Sequence, residues 1–358
     1  MGRIKRIHFA IILFIFLIVV LMYNINLYAV KKSFVKYSNS PIESISTLST
    51  RTAFVTNEGD VYITGRYFCD LDTSIGFDGF EEHAYKKLSS PVKIFGDSAD
   101  TVMLTSFGGF ITQQTNLYIF TIEQSRFKTP RMISSDCIKP VNALNVEEKG
   151  YCCIYINTNN ELVIKAIDGE WLDVCMENVL NCKYYSNGVY VILKTDGSLW
   201  MTSFLDINNL LDTNYVKVAD NVKSFAYSHI SFGGQGIQNN FVLLAKDGTV
   251  YKKFGINANL QEICKNAKDV GIHNQKTIVI TAEGNLVYFD TDDRKAIMKA
   301  ENVDKFSVTD DIVCAYSQSD GLLFWGTNKY NAFGCATQSS NIALDSEPVA
   351  INQSGNNR

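Results

Sequence analysis

Apolar residues are distributed along this chain in two ways. Near the N-terminus they run together: residues 9–23 are an unbroken apolar stretch of 15, and within 7–30 only His8, Asn24 and Asn26 interrupt it. Beyond that stretch they come in short bursts, many alternating with polar residues, the two-residue period of a half-buried β-strand. Each burst ends in a two- to four-residue polar turn, usually closed by Gly, and a second burst follows that opens on apolar and aromatic residues. The unit reads Ala53-Phe54-Val55-Thr56-Asn57-Glu58-Gly59-Asp60-Val61-Tyr62 at its first occurrence. It returns at 191–200, 242–251, 278–287 and 314–324, with weaker copies at 110–118 and 154–163.

The seven turn positions are Gly59, Thr115, Asn160, Gly197, Gly248, Gly284 and Gly321, separated by 36 to 56 residues. Gly and Asn dominate because a tight hairpin turn needs positive φ. Five of the aligned second-strand positions are aromatic: Tyr62, Tyr118, Trp200, Tyr251 and Phe324. Between hairpins a second element recurs, at 91–94, 216–218 and 298–300, each followed by another short strand such as 222–225 or 303–306. About four short strands per repeat is the content of one propeller blade. The pattern therefore predicts an all-β, seven-bladed β-propeller over residues 45–352, preceded by one N-terminal transmembrane helix. The last element, 348–351, has no hairpin after it, and the first hairpin has no such strand before it. Ring closure is the expectation, with the Val349-Ala350-Ile351 strand completing the blade that contains Gly59 and removing exposed sheet edges.

The seventh copy, Asp320-Gly321-Leu322-Leu323-Phe324-Trp325-Gly326-Thr327-Asn328, continuing to Phe333-Gly334, resembles the repeat of the regulator of chromosome condensation family. Gly59-Asp60-Val61-Tyr62-Ile63-Thr64-Gly65 is a second, weaker match. The resemblance implies a seven-bladed propeller over roughly residues 45–352, of the extracellular bacterial kind, in which the repeat serves binding rather than chemistry.

A bilayer core of about 30 Å needs roughly 20 apolar residues, so 7–30 is long enough to span. Residues 1–6 hold Arg3, Lys5 and Arg6 and read as a cytoplasmic flank, which places the body outside the membrane. A cleavable signal peptide is the rival reading, and it would make the body a secreted protein; against it, Leu27 stands where a small residue is preferred before cleavage. Residues 31–44 then form a linker and 353–358 a polar tail. Charge changes the picture of partners. Residues 1–36 carry six cations and no acid, so the remaining chain has 27 cations against 37 acids, a net of −10. Such a body is a poor polyanion binder, and no nucleic-acid partner is expected.

Chemistry-bearing motifs are sparse. The nine cysteines contain no Cys-x-x-Cys spacing, and with four histidines neither a zinc site nor any other metal or cofactor is expected. Cys152 and Cys314 read as buried small hydrophobes, and Cys175 with Cys182 is a candidate pair. Asp290-Thr291-Asp292-Asp293 lacks the Gly and distal Glu of a calcium loop, and residues 231–236 lack the helix that a phosphate cradle requires. Propeller symmetry places the loops that open each hairpin on one rim, and this brings Arg51, His273, Asp310 and Asp311 forward as binding candidates on that face. The sequence thus leads to a membrane-anchored, extracytoplasmic propeller that binds a protein or a cell-envelope glycan. A propeller hydrolase or lyase, or a structural subunit of a membrane-bound surface complex, are the alternatives.

Overall fold

The computed structural model describes residues 40–48, 50–68, 85–87, 91–96, 98–105, 108–123, 126–127, 129–146, 150–185, 189–202, 215–231, 237–289, 295–327, 333, 341–342 and 348–350. The apolar segment 7–30, the tail 353–358, the acidic run 290–293 and the Gly-rich stretch 232–236 lie outside them. Among the described residues no helix is long and apolar enough to cross a membrane.

Seven antiparallel sheets follow one another in the chain, each a meander of an inner, a second, a third and an outer strand. Their inner strands are Ile42–Leu48, Thr101–Thr105, Cys137–Val146, Val179–Tyr185, Val222–Ser231, Ala267–His273 and Val303–Val308, which number the sheets 1 to 7. Inner strands pack on those of neighbouring sheets, and the first packs on both the second and the seventh. The ring therefore closes, as a propeller.

The two-residue period explains how the sheets adhere. Along each second strand alternate side chains face opposite neighbours, so every pair of adjacent sheets shares one apolar cluster. In sheet 1, Ala53 and Val55 face sheet 2 with Val102, Leu104 and Ile111, while Phe54 faces sheet 7 with Cys314, Leu322 and Phe324. Five further clusters complete the circle. Cys175 and Cys182 meet in the cluster between sheets 3 and 4, and both are free thiols. Cys152 and Cys314 are fully buried.

Two expectations need correction. The first sheet does have an inner strand of its own, Ile42–Leu48, which begins inside the segment read as a linker. Accordingly the C-terminal strand Val349–Ala350 does not complete the first sheet. It pairs with Gly321–Thr327 of the seventh, Phe324 opposite Val349. The outer strand of sheet 1 is instead Val92–Phe95. Each sheet is thus built from one continuous stretch of chain, and closure comes from side chains. The second hairpin turns through 114–115, and the positive φ falls on Gln114 (53°), one residue before Thr115.

Candidate functional site

The meander fixes what each face of the disc carries. On one face lie the turns between second and third strands and the connections between successive sheets. Five of the six inter-sheet connections are two residues long, and in sheets 3 to 6 they end on Asn178, Asn221, Asn266 and Asn302, all at φ between 54° and 60°. This face is seamed by backbone bonds. The N–H groups of Ala99, Cys137, Val179, Val222, Ala267 and Val303, each at or just before an inner strand, donate to the hairpin-turn carbonyls of Gly59, Thr115, Asn160, Gly197, Gly248 and Gly284 in the preceding sheet, at 2.7–3.0 Å. The opposite face carries the inner-to-second turns and the third-to-outer connections. Between Phe68 and Val92, Thr202 and Tyr215, and Thr327 and Val349 the sequence holds 23, 12 and 21 residues, of which Tyr85–Lys87 and Asn341–Ile342 pair with the third strands of sheets 1 and 7.

All four sequence candidates belong to this second face, but with different exposures. Arg51 is 3% exposed. The preceding turn spans only residues 49–50, with Leu48 paired to Arg51, so Arg51 is the first residue of a strand rather than part of a loop. Opposite it stands Gly65, at φ 104°, whose missing Cβ would lie 2.2 Å from the Thr50 carbonyl oxygen. Gly326 repeats this arrangement in sheet 7, at φ 98° and 2.0 Å from the Asp311 carbonyl oxygen, which explains the Gly of the Trp-Gly element.

His273 is also buried. Its Nδ1–H donates to the Thr309 carbonyl (2.8 Å) and its Nε2 accepts from the Asn274 side-chain amide (3.0 Å), both of which a neutral imidazole satisfies. Burial holds its pKa below the usual value, against the opposing pull of the Thr309 bond and of Asp310 and Asp311. Asp310 and Asp311 are exposed at the turn beside it. The structure therefore joins His273 to the 309–311 turn, leaves the two carboxylates facing solvent, and withdraws Arg51 into the protein.

The axis holds residues that sequence reading did not single out. Six inner strands carry a β-bulge at the same place, and the residue after it is polar every time: Ser44, Lys139, Asn181, Ser224, Asp269 and Lys305. Several of these side chains reach to the next sheet round the ring, and Asn181 and Asp269 are reached from the preceding one. Lys139 Nζ donates to Asn181 Oδ1 (2.8 Å), Ser224 Oγ to Asp269 Oδ1 (3.1 Å), and Lys305 Nζ to the Ile42 carbonyl (3.0 Å) and Glu43 Oε2 (2.7 Å). Two residues beyond Asn181, Lys183 Nζ donates to the Phe225 carbonyl of sheet 5 (3.1 Å). Lys139 keeps open surface although protein surrounds most of it, as for a side chain lining a narrow channel. Its ammonium is pushed down to about 8 by burial first and by the charge of Lys183 second. Burial lowers Lys183 as well, and Asp269 opposes the shift. The signal available in the sequence was faint: one polar residue two places after the start of six of the seven inner strands, sheet 2 having Met103 there.

At the outer rim a cleft of about 410 Å³ lies between sheets 2 and 3, lined by Met132, Ser134, Asp136, Tyr155, Lys165 and Leu172. Its polar groups are occupied with one another. Ser134 Oγ and Tyr155 Oη both bond Asp136 Oδ1, and Lys165 Nζ donates to the Ile133 carbonyl (2.8 Å). Among the described residues no group of His, Cys, Asp and Glu is placed to hold a metal ion.

No protein-family model and no curated protein matches this sequence. Among solved structures it is similar to PorZ, a surface component of the type-IX secretion system of Porphyromonas gingivalis, at 13% identity and TM-score 0.48 over 85% of this chain. The chain spans only 38% of the length of that protein. It is similar also to Prp20p of Saccharomyces cerevisiae (12% identity, TM-score 0.43, 87% of this chain and 77% of that one). BamB from Moraxella catarrhalis gives 9% identity and TM-score 0.45, over 80% of this chain and 85% of that one. The propeller assignment rests on the seven sheets themselves, and nothing these proteins bind is carried over from them.

Proposed function

We propose that this chain is a binding module, a divergent propeller of the regulator of chromosome condensation repeat type, tethered outside a bacterial-type membrane by residues 7–30. The observation that carries the reading is the inequality of the two faces. One is consumed by short turns bonded to their neighbours. The other gathers connections of up to 23 residues and the exposed carboxylates of Asp310 and Asp311. Loops held on a rigid scaffold are where proteins place recognition, because they can vary without disturbing the core. The partner is a protein or an envelope glycan, engaged through this face. His273 acts there as a strut for the 309–311 turn rather than as a contact.

Photo-cross-linking from cells that express the full chain tests this. A cross-linking amino acid at Asp310 is expected to capture a partner, and one at Lys268 on the seamed face to capture none. Capture from position 268 alone would overturn the reading. The anchor is tested separately by sequencing the N-terminus of protein recovered from membranes: Met1 or Gly2 supports it, and a start near Val30 shows cleavage.

A further inference from the structure

Cations near the axis are treated unequally. Lys305 is neutralised by Glu43 at 2.7 Å. Among the described residues neither Lys139 nor Lys183 has a carboxylate within ion-pair distance; each spends one of its three N–H donors on a neutral oxygen, and Lys183 also lies over the Phe225 ring at 5.3 Å. They are brought together by register. Lys139 of sheet 3 reaches Asn181, and Lys183 lies two residues further along the same strand, on the same side of it. The charge of Lys183 is felt at Lys139, and that of Asp269, from the inner strand of sheet 6, at both. Asp269 stays outside ion-pair distance, held by Ser224 Oγ (3.1 Å) and its neighbour's Val270 N–H (2.8 Å). Two like charges brought close together at the axis, with donors left over and no counter-ion among the described residues, repel one another unless an anion joins them.

We propose that Lys139 and Lys183 form a site for a small oxyanion, a carboxylate or phosphate group, within the axial channel. The oxygens of the anion take up the remaining ammonium donors, while Asn181 and the Phe225 carbonyl hold the two lysines in place. Such charge-assisted bonds are stronger than neutral ones. Asp269 limits affinity through repulsion and favours a ligand that carries a donor on its far side. The site lies on inner strands and stands independently of the loop-face reading.

The test is amine acetylation of the full-length protein near pH 8, read by peptide mass mapping. Inorganic phosphate and acetate are compared, in separate arms, with chloride at equal ionic strength. Either anion is expected to slow labelling of Lys139 several-fold and to leave Lys223 and Lys268 unchanged. Protection by phosphate alone identifies a phosphate site, and protection by acetate alone a carboxylate site. In Lys183→Met, which keeps the apolar stem, protection of Lys139 should vanish. In Asp269→Asn, whose amide oxygen can still accept from Ser224, it should appear at lower anion concentration. Asp269→Asn decides the matter if Lys183→Met does not fold. Equal labelling in chloride, phosphate and acetate would overturn the site, as would protection that survives Lys183→Met.

Discussion

The contact between sheets 4 and 5 and the contact between sheets 7 and 1 do the same job by different means. At the first, the chain passes between sheets through two residues, and the Val222 N–H donates to the Gly197 carbonyl at 2.9 Å. Apolar side chains, Leu193, Leu199, Phe225 and Phe241 among them, fill the space between. At the second, Lys305 and Glu43 lie 262 positions apart in sequence. Closing a loop of that length costs about 1.7 kcal/mol more than joining blades about 40 residues apart, by the logarithmic law. The closing contact has a core of similar kind, with Phe54 stacked on Tyr62 (5.5 Å) and Phe324 on Phe333 (4.8 Å). Its polar stitches come from side chains: Lys305 to the Ile42 carbonyl, and Thr47 to Ser307 (2.9 Å). Connectivity supplies proximity six times round the ring, and packing must supply it the seventh.

The largest expected effect comes from emptying that core. Phe324→Ala should lose about 3–5 kcal/mol in urea unfolding, and Phe225→Ala a similar amount. The two should differ in hydrogen exchange, with amides of sheets 1 and 7 accelerated first in Phe324→Ala. Exchange spread evenly round the ring would remove the distinction between the two contacts. Next, Gly326→Ala should cost about 2–3 kcal/mol, since it combines a left-handed backbone with a clash against the Asp311 carbonyl. Gly255→Ala is the control. Its φ is 87° but its Cβ would meet open space, and about 1 kcal/mol is expected.

Truncation after Ser346 should remove about 1–3 kcal/mol, because it strips the two-residue strand from Phe324 and Leu323 and bares the edge of sheet 7. Loss of 353–358 alone should leave the melting temperature unchanged. Lys305→Met should cost less than about 1 kcal/mol, in a salt-dependent manner, as suits a partly exposed pair. Smallest of all is a pH effect at the contact between sheets 6 and 7. Burial depresses the pKa of His273 in the folded protein below its ordinary 6.5. The unfolded chain therefore takes up this proton first, and stability present above pH 6.5 should fall as the pH drops below it. His273→Gln should flatten that part of the stability profile.

Much of the architecture was legible because strand pairing imposes a period of two and hairpin turns need positive φ. Hairpins at Gly59, Gly197, Gly248, Gly284 and Gly321 could be read directly. The inner strand Ile42–Leu48 could not, since Ser44, Ser46 and Thr47 dilute its apolar pattern. Those hydroxyls are there for a reason found only in three dimensions. Ser44 and Ser46 accept N–H groups of sheet 2, and Thr47 bonds Ser307 of sheet 7. Missing that strand led directly to the wrong partner for Val349–Ala350. Arg51 was misplaced for a related reason: a two-residue turn leaves no loop for it to occupy.

The sequence by itself determined the number of blades and the chemistry of their turns, because each depends on contacts between residues a few positions apart. Tertiary structure alone decided which edges meet and what lines the axis. Lys139, Lys183 and Asp269 are 44 and 86 positions apart along the chain. No local pattern links them; they meet at the axis because three inner strands, each placed by its own sheet, turn the same side toward one another, Lys139 and Asp269 from the position after the bulge and Lys183 from two residues beyond it.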